Sequence, residues 1–173
     1  MYKKILVPLD GSAAAECVLE HVRSIAGSGT EVVLARVVAK PAYDFLLRDA
    51  QLSACLDEDL SEEAHAYLAR VAASMKKPGV TVSTCVLPEQ APVAEIVRMY
   101  AQTAKVDLIA ISAHGKTGLI GRLLGSVAER IVHHAGVPVL IVHPRANPRM
   151  DAKVPATRAV HTRRRSSPKA RGR

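Results

Sequence analysis

Apolar residues along the chain alternate between short continuous runs and a three-to-four spacing. Ile5-Leu6-Val7 is such a run and ends at Pro8-Leu9-Asp10-Gly11-Ser12, which predicts a strand over Lys3–Leu9 and a tight turn after it. Val18, Leu19, Val22, Ile25 and Ala26 fall on one helical face, so a single helix is expected over 13–26, stopped by Gly27 and Gly29. Glu31–Val38 is β-branched and nearly all apolar, as a buried strand should be. A loop through Pro41 leads to a longer helix, whose face is Leu56, Leu60, Ala64, Tyr67, Leu68, Val71 and Met75, and Pro78-Gly79 ends it. From Val80 to Leu87 apolar and small polar residues alternate, the pattern of a half-exposed edge strand. Pro92 suits the first position of a third helix with Val93, Ile96, Val97, Tyr100 and Ala104 on its face. Val106–Ile111 reads as a buried strand, and a glycine-rich loop follows from Ser112 to Gly125. Ser126-Val127-Ala128-Glu129 has the S-x-x-E form of a capping box at the start of a helix that ends near Gly136. Val137–Val142 is the last strand.

The alternation βαβαβαβαβ within about 143 residues argues one α/β domain with a doubly wound parallel sheet and helices on both faces. It leaves the order of the strands open. At 173 residues and 49% apolar the chain is long enough to bury a core unaided. Chains near that size bury roughly 68–70% of their unfolded surface. The net charge of +8 is not spread evenly. Residues 145–173 hold ten Lys/Arg and one acid, whereas residues 1–144 hold 14 basic and 15 acidic side chains. The basicity belongs to a tail, expected to be disordered, with the domain boundary at Pro144. Cys17, Cys55 and Cys85 form no C-x-x-C pair, which argues against a zinc ribbon or a disulfide framework and for thiols in a reducing cytoplasm. No apolar run approaches 18 residues, so no membrane span is expected, and Asp10 comes too early for a signal peptide.

Ligands of open parallel sheets bind beyond the carboxyl ends of the strands, where the winding reverses. Two segments at strand ends carry unusual residues: Pro8–Ser12 and Ser112–Ser126. The second holds Gly115, Gly118, Gly121 and Gly125, with Lys116 and Arg122 as cations. Glycines let backbone N–H groups turn toward an anion. Gly125-Ser126 opens a helix, whose N-terminus favours a phosphate by about 0.3–1 kcal/mol when exposed. Gly115-Lys116-Thr117 is not the end of a P-loop, because Ala110 stands where that motif needs glycine and Gly118 and Gly121 follow.

The loop resembles the nucleotide motif of the ATP-binding universal stress proteins: glycine, two residues, glycine, nine residues, then Gly-Ser or Gly-Thr. Gly115, Lys116–Leu124 and Gly125-Ser126 match, and Ser112 stands in place of the first glycine. Ile5–Ser12 is similar to that family's opening strand, and Val127–Arg130 through Val142 to its close. The resemblance covers residues 2–143. It implies a five-stranded sheet of order 3-2-1-4-5, with the reversal between strands 1 and 4. It also implies that Asp10 meets a ribose, that the Val37 backbone meets adenine, and that Ser112–Ser126 cradles phosphates. The site residues so implied are Pro8, Asp10, Val37, Ser112, Gly115, Gly125, Ser126 and Val127, with Lys116 and Arg122 added on charge. The cofactor is ATP, with Mg2+ as the cation that could bridge its phosphates.

No catalytic set is visible. Asp10 has no carboxylate partner in the sequence pattern, His114 is a lone loop histidine, and His133-His134 point apart on a helix, so neither catalysis nor a metal site is expected. The expectation is an ATP-binding sensor or switch rather than a fast enzyme, with any hydrolysis slow. An alternative is a nucleotide-free homodimeric module. In the implied order the uncharged strand Val137–Val142 lies at an edge, where a second copy could pair. The basic tail, with Arg163-Arg164-Arg165 and no aromatic residue, points at most to weak, non-specific contact with nucleic acid or another acidic surface.

Overall fold

A computed structural model of the chain describes residues 1–39, 50–114 and 124–144. The elements run β1 (Lys4–Pro8), α1 (Ala13–Glu16), α2 (Val18–Ile25), β2 (Glu31–Val38), α3 (Ala50–Ser74), β3 (Thr81–Pro88), α4 (Val93–Thr103), β4 (Leu108–Ser112), α5 (Ser126–His134) and β5 (Val139–Val142). The strands form one all-parallel sheet in the order β3-β2-β1-β4-β5. Gly115, Lys116 and Arg122, and the tail from Arg145 onward, lie outside the described residues.

Successive strand residues point to opposite faces, and the core divides accordingly. Ile5, Val7, Val32, Leu34, Leu108 and Ala110 face α1, α2 and α3, with Val18, Val22, Leu68 and Val71 packed on them. Leu6, Val33, Ala35, Ile109 and Ile111 face α4 and α5, with Val97, Ala101, Ala128 and Ile131 on them. The register sets Leu6 beside Val33 of β2 and Ile109 of β4, all essentially buried. The two edge strands differ from this interior. β3 has no buried residue, and in β5 only Val142 is buried.

Four local expectations are corrected. The helix over 13–26 is two helices, interrupted at Cys17, which keeps helical dihedrals (φ −59°, ψ −23°). The apolar spacing runs through that residue and does not register the break. Pro92 is the residue before α4, with an extended ψ of 134°, and its carbonyl accepts from Glu95 N at 2.8 Å. The capping box does not form. Gly125 is the N-cap and Ser126 the first helical residue, so Ser126 and Glu129 are one place out of register for it. The reason is that Gly125 N donates to Ala113 O at 2.7 Å, which holds Gly125 just outside the helix. The last strand begins at Val139, although Pro138 O already accepts from Ile109 N at 3.0 Å.

Ile109→Ala removes a buried side chain from the second face of the sheet. It is expected to cost about 2–5 kcal/mol in urea denaturation, with an unchanged slope. A cost under about 1 kcal/mol would mean that this layer is not close-packed.

Candidate functional site

The sheet order reverses between β1 and β4, so the chain leaves these neighbouring strands toward opposite faces. It passes from β1 into α1 and α2 on one face, and α5 lies on the other. The crevice beyond their carboxyl ends is walled by Pro8–Ser12 and by Ser112–His114 with the start of α5.

On the β1 wall, Asp10 and Ser12 close a small turn around Gly11. Asp10 Oδ1 accepts from Ser12 N at 2.9 Å and Ser12 Oγ at 2.6 Å. Ser12 Oγ in turn accepts from Ala15 N at 3.1 Å and caps α1. Gly11 has φ +89°, a conformation that only glycine adopts at little cost.

On the β4 wall, Ser112 is buried as the last residue of its strand, in register with Val142. Its backbone is therefore extended, and serine carries no conformational cost there. Its hydroxyl donates to His114 O at 2.8 Å and lies 3.5 Å from the donating Cys17 Sγ. The side chain is thus spent on its own loop. The opening of α5 is set by Gly125. A Cβ there would come within 3.1 Å of Ala113 O, tighter than an ordinary contact, so the close approach of helix to strand favours glycine. Ser126 is exposed and Val127 half-buried at the first turn, where backbone N–H groups have no intrahelical acceptor.

Val37 enters through strand geometry. Pro8 is the last β1 residue in register with β2, opposite Ala35. Ala35 O accepts from Leu9 N on the β1 side, and Val38 O accepts from Glu89 N on the β3 side. Backbone polar groups alternate sides along a strand. Those of Val37 therefore face the β1 side, about 6.5 Å past the point where β1 stops pairing. One N–H and one C=O thus overlook the crevice.

Two residues that no motif points to stand beside this wall. Arg36 crosses toward the turn, and a methyl placed on Gly11 would lie 3.6 Å from its Cζ. Its side chain is 13% exposed, pairs with Glu63 at 3.4 Å, and stacks over the Tyr67 ring at 5.3 Å. Arg70 stacks on the same ring at 5.2 Å and pairs with Glu16 at 3.1 Å. The Tyr67 hydroxyl is buried and makes no hydrogen bond of good geometry, although the Glu16 carboxylate lies near enough to act on it. Burial raises its pKa, Glu16 and Asp10 add to the rise, and Arg70 opposes it. The signal in the sequence was one arginine inside an apolar strand, next to the residue whose backbone faces the crevice.

Among the described residues, no three His, Cys, Asp or Glu side chains gather as a metal site, and no helix is long and apolar enough to cross a membrane. His114 and His143 lie near each other at the ends of β4 and β5, with ring centroids 6.2 Å apart.

The model of the universal stress protein family matches residues 1–143. Universal stress protein MJ0531 of Methanocaldococcus jannaschii is 38% identical over 143 residues, covering 82% of each chain. Universal stress protein MJ0577 of the same organism is 33% identical over 82% of this chain and 95% of its own. The solved structure of MJ0577 superposes with a TM-score of 0.72 at 32% identity, over 84% of this chain and 99% of that one. A universal stress protein solved in complex with cAMP shares the fold, with a TM-score of 0.58 at 22% identity over 82% of this chain and 97% of its own.

Tyr67→Phe removes an unbonded buried hydroxyl and keeps the ring. It is expected to be neutral or to stabilise by up to about 1 kcal/mol in chemical denaturation. A loss beyond about 1 kcal/mol would mean that the hydroxyl is bonded in solution.

Proposed function

The chain belongs to the universal stress protein family, and from that membership we propose that it binds an adenine nucleotide, ATP, in the crevice between β1 and β4. It acts there as a nucleotide-dependent sensor or switch in stress response rather than as a fast enzyme. The observation that carries this reading is the bond from Gly125 N to Ala113 O, which sets the N-terminus of α5 on the end of β4 at the strand reversal. The phosphates lie against the first turn of α5, at Gly125, Ser126 and Val127, with Ser112 shaping the loop entry through His114 O. Asp10, beside Pro8, takes a ribose hydroxyl, and the Val37 backbone takes the adenine edge. That a protein of this fold was solved in complex with cAMP supports an adenine nucleotide as the class of ligand. Gly115, Lys116 and Arg122 complete the phosphate loop on the resemblance alone, and a divalent cation such as Mg2+ would bridge phosphate oxygens. In the switch, bound nucleotide changes which partner docks.

Protein purified without added nucleotide and then denatured is expected to release stoichiometric ATP or ADP, identified by chromatography. Gly125→Val, whose Cβ would crowd Ala113 O, is expected to empty the site. Absence of released nucleotide together with a null Mg-ATP titration would overturn the reading.

A second reading rests on β5. It lies at a sheet edge, its four residues are all apolar, and three of them are only half-buried. Pairing of the Val137–Val142 segments of two copies would cover that edge in a homodimer, whether or not nucleotide binds. Sedimentation at micromolar concentration is expected to give a dimer; a monomer alone would remove this reading.

A further inference from the structure

The adenosine pocket, as proposed, has two walls that share no hydrogen-bond ladder. One is the end of β2, where Val37 overlooks the crevice after β1 has stopped pairing. The other is the Asp10–Ser12 turn, bonded within itself and pivoting on Gly11. The turn's internal bonds shape it. Among the described residues, Leu9 N to Ala35 O is the last backbone tie between the turn and β2.

Arg36 spans this gap. It adjoins Val37 in β2, and a methyl added to Gly11 would meet its guanidinium carbon at 3.6 Å, so the guanidinium stands close beside the turn. A free arginine side chain would sample many rotamers, but this one is confined from both ends. The Tyr67 ring lies under it and Glu63 pairs with it. Arg70 also stacks on the Tyr67 ring, and its partner Glu16 belongs to α1, the helix that follows the turn. The stack therefore ties β2, α3 and α1 together around the Asp10 turn. A planar, delocalised cation suits this role, because it can lie flat on a ring while its edge donates to a carboxylate.

We propose that Arg36 is a positioning residue of the adenosine pocket: stacked on Tyr67 and standing close beside Gly11, it limits how near the Asp10 turn can come to β2 and so helps hold Asp10 at the distance from the Val37 backbone that lets one nucleoside reach both. The inference rests on the nucleotide reading above and adds to it a cause of selectivity. Asp10 can reward a ribose hydroxyl only when its carboxylate is held where the base-anchored sugar falls. Arg36 thereby makes the site selective for ribonucleotides over deoxyribonucleotides, without touching the hydroxyl itself. A clamp that merely joined β2 to α3 would affect all nucleotides equally.

The test is calorimetric titration of the full chain with ATP, 2′-deoxy-ATP and 3′-deoxy-ATP. The wild type is expected to favour ATP over at least one deoxy analogue by about tenfold, the effect of a hydrogen bond to a charged group. Arg36→Met should narrow that preference to within about threefold and leave affinity for the disfavoured analogue within about twofold. Tyr67→Leu, which leaves β2 intact, should narrow it in the same direction, and it carries the test if Arg36→Met does not fold. Tyr67→Phe, which keeps the ring, should retain the wild-type preference. Loss of affinity in equal proportion for all three nucleotides, or an unchanged preference in both Arg36→Met and Tyr67→Leu, would overturn the positioning role and leave nucleotide binding standing. A wild type that binds ATP without ribose preference would do the same. A wild type that binds none of the three would overturn this inference together with the reading beneath it.

Discussion

β1 is buried on both faces, and so it must also be paired along both edges. Unpaired backbone groups at that depth would each cost free energy comparable to a lost hydrogen bond. That requirement organises the molecule. With β2 on one side and β4 on the other, Ile5 and Val7 look toward α1–α3 while Leu6 looks toward α4 and α5. Parallel neighbours need crossovers, and right-handed crossovers from a central strand send successive helices to opposite faces once the winding turns back. The crevice is the geometric remainder of this arrangement. Chains leaving β1 and β4 part in opposite directions, and the space between them cannot be filled by either connection.

What lines that space is mostly main chain. The polar groups of Val37 overlook it because β1 stops pairing two residues earlier. The start of α5 reaches it because Gly125 lacks a Cβ and can bond directly to Ala113 O. Ser112 and Ser12 spend their hydroxyls on local backbone, as anchors of the two loops. Among the described residues, such a set offers fixed dipoles and shape, with Asp10 as the one carboxylate of its β1 wall.

The Arg36–Tyr67 contact is the exception, a place where a charged side chain is drawn into the fold beside the crevice. A guanidinium at 13% exposure gives up much of its hydration. It recovers stabilisation from an aromatic face and a carboxylate rather than from water. Arg70, itself exposed, stacks on the same ring and pairs with Glu16 of α1. Joining β2, α3 and α1, the stack adds to the support that a surface-facing turn has from its own short hydrogen bonds.

Much of this was legible in the sequence. Continuous apolar runs such as Ile5–Val7 and Leu108–Ile111 mark strands buried on both faces, and the alternation at Thr81–Leu87 marks an edge. Burial preference is a local property, written residue by residue, so the pattern carries it. The two glycine-bearing loops stood out for the same reason. Other features depended on which segments meet. The shift of the α5 N-cap from Ser126 to Gly125 and the side of β2 that Val37 presents are each set by a partner far along the chain: Ala113, and the last paired residue of β1. The Arg36 stack is of this kind too, since residues 11, 36 and 67 are neighbours only after the sheet has formed. The amino-acid sequence by itself determined which segments are strands and helices and which two loops carry unusual chemistry, because these follow from side-chain burial and glycine conformation. Only the tertiary structure decided which backbone groups face the crevice and what braces the Asp10 turn, because hydrogen-bond direction and side-chain stacking exist only between segments brought together by the fold.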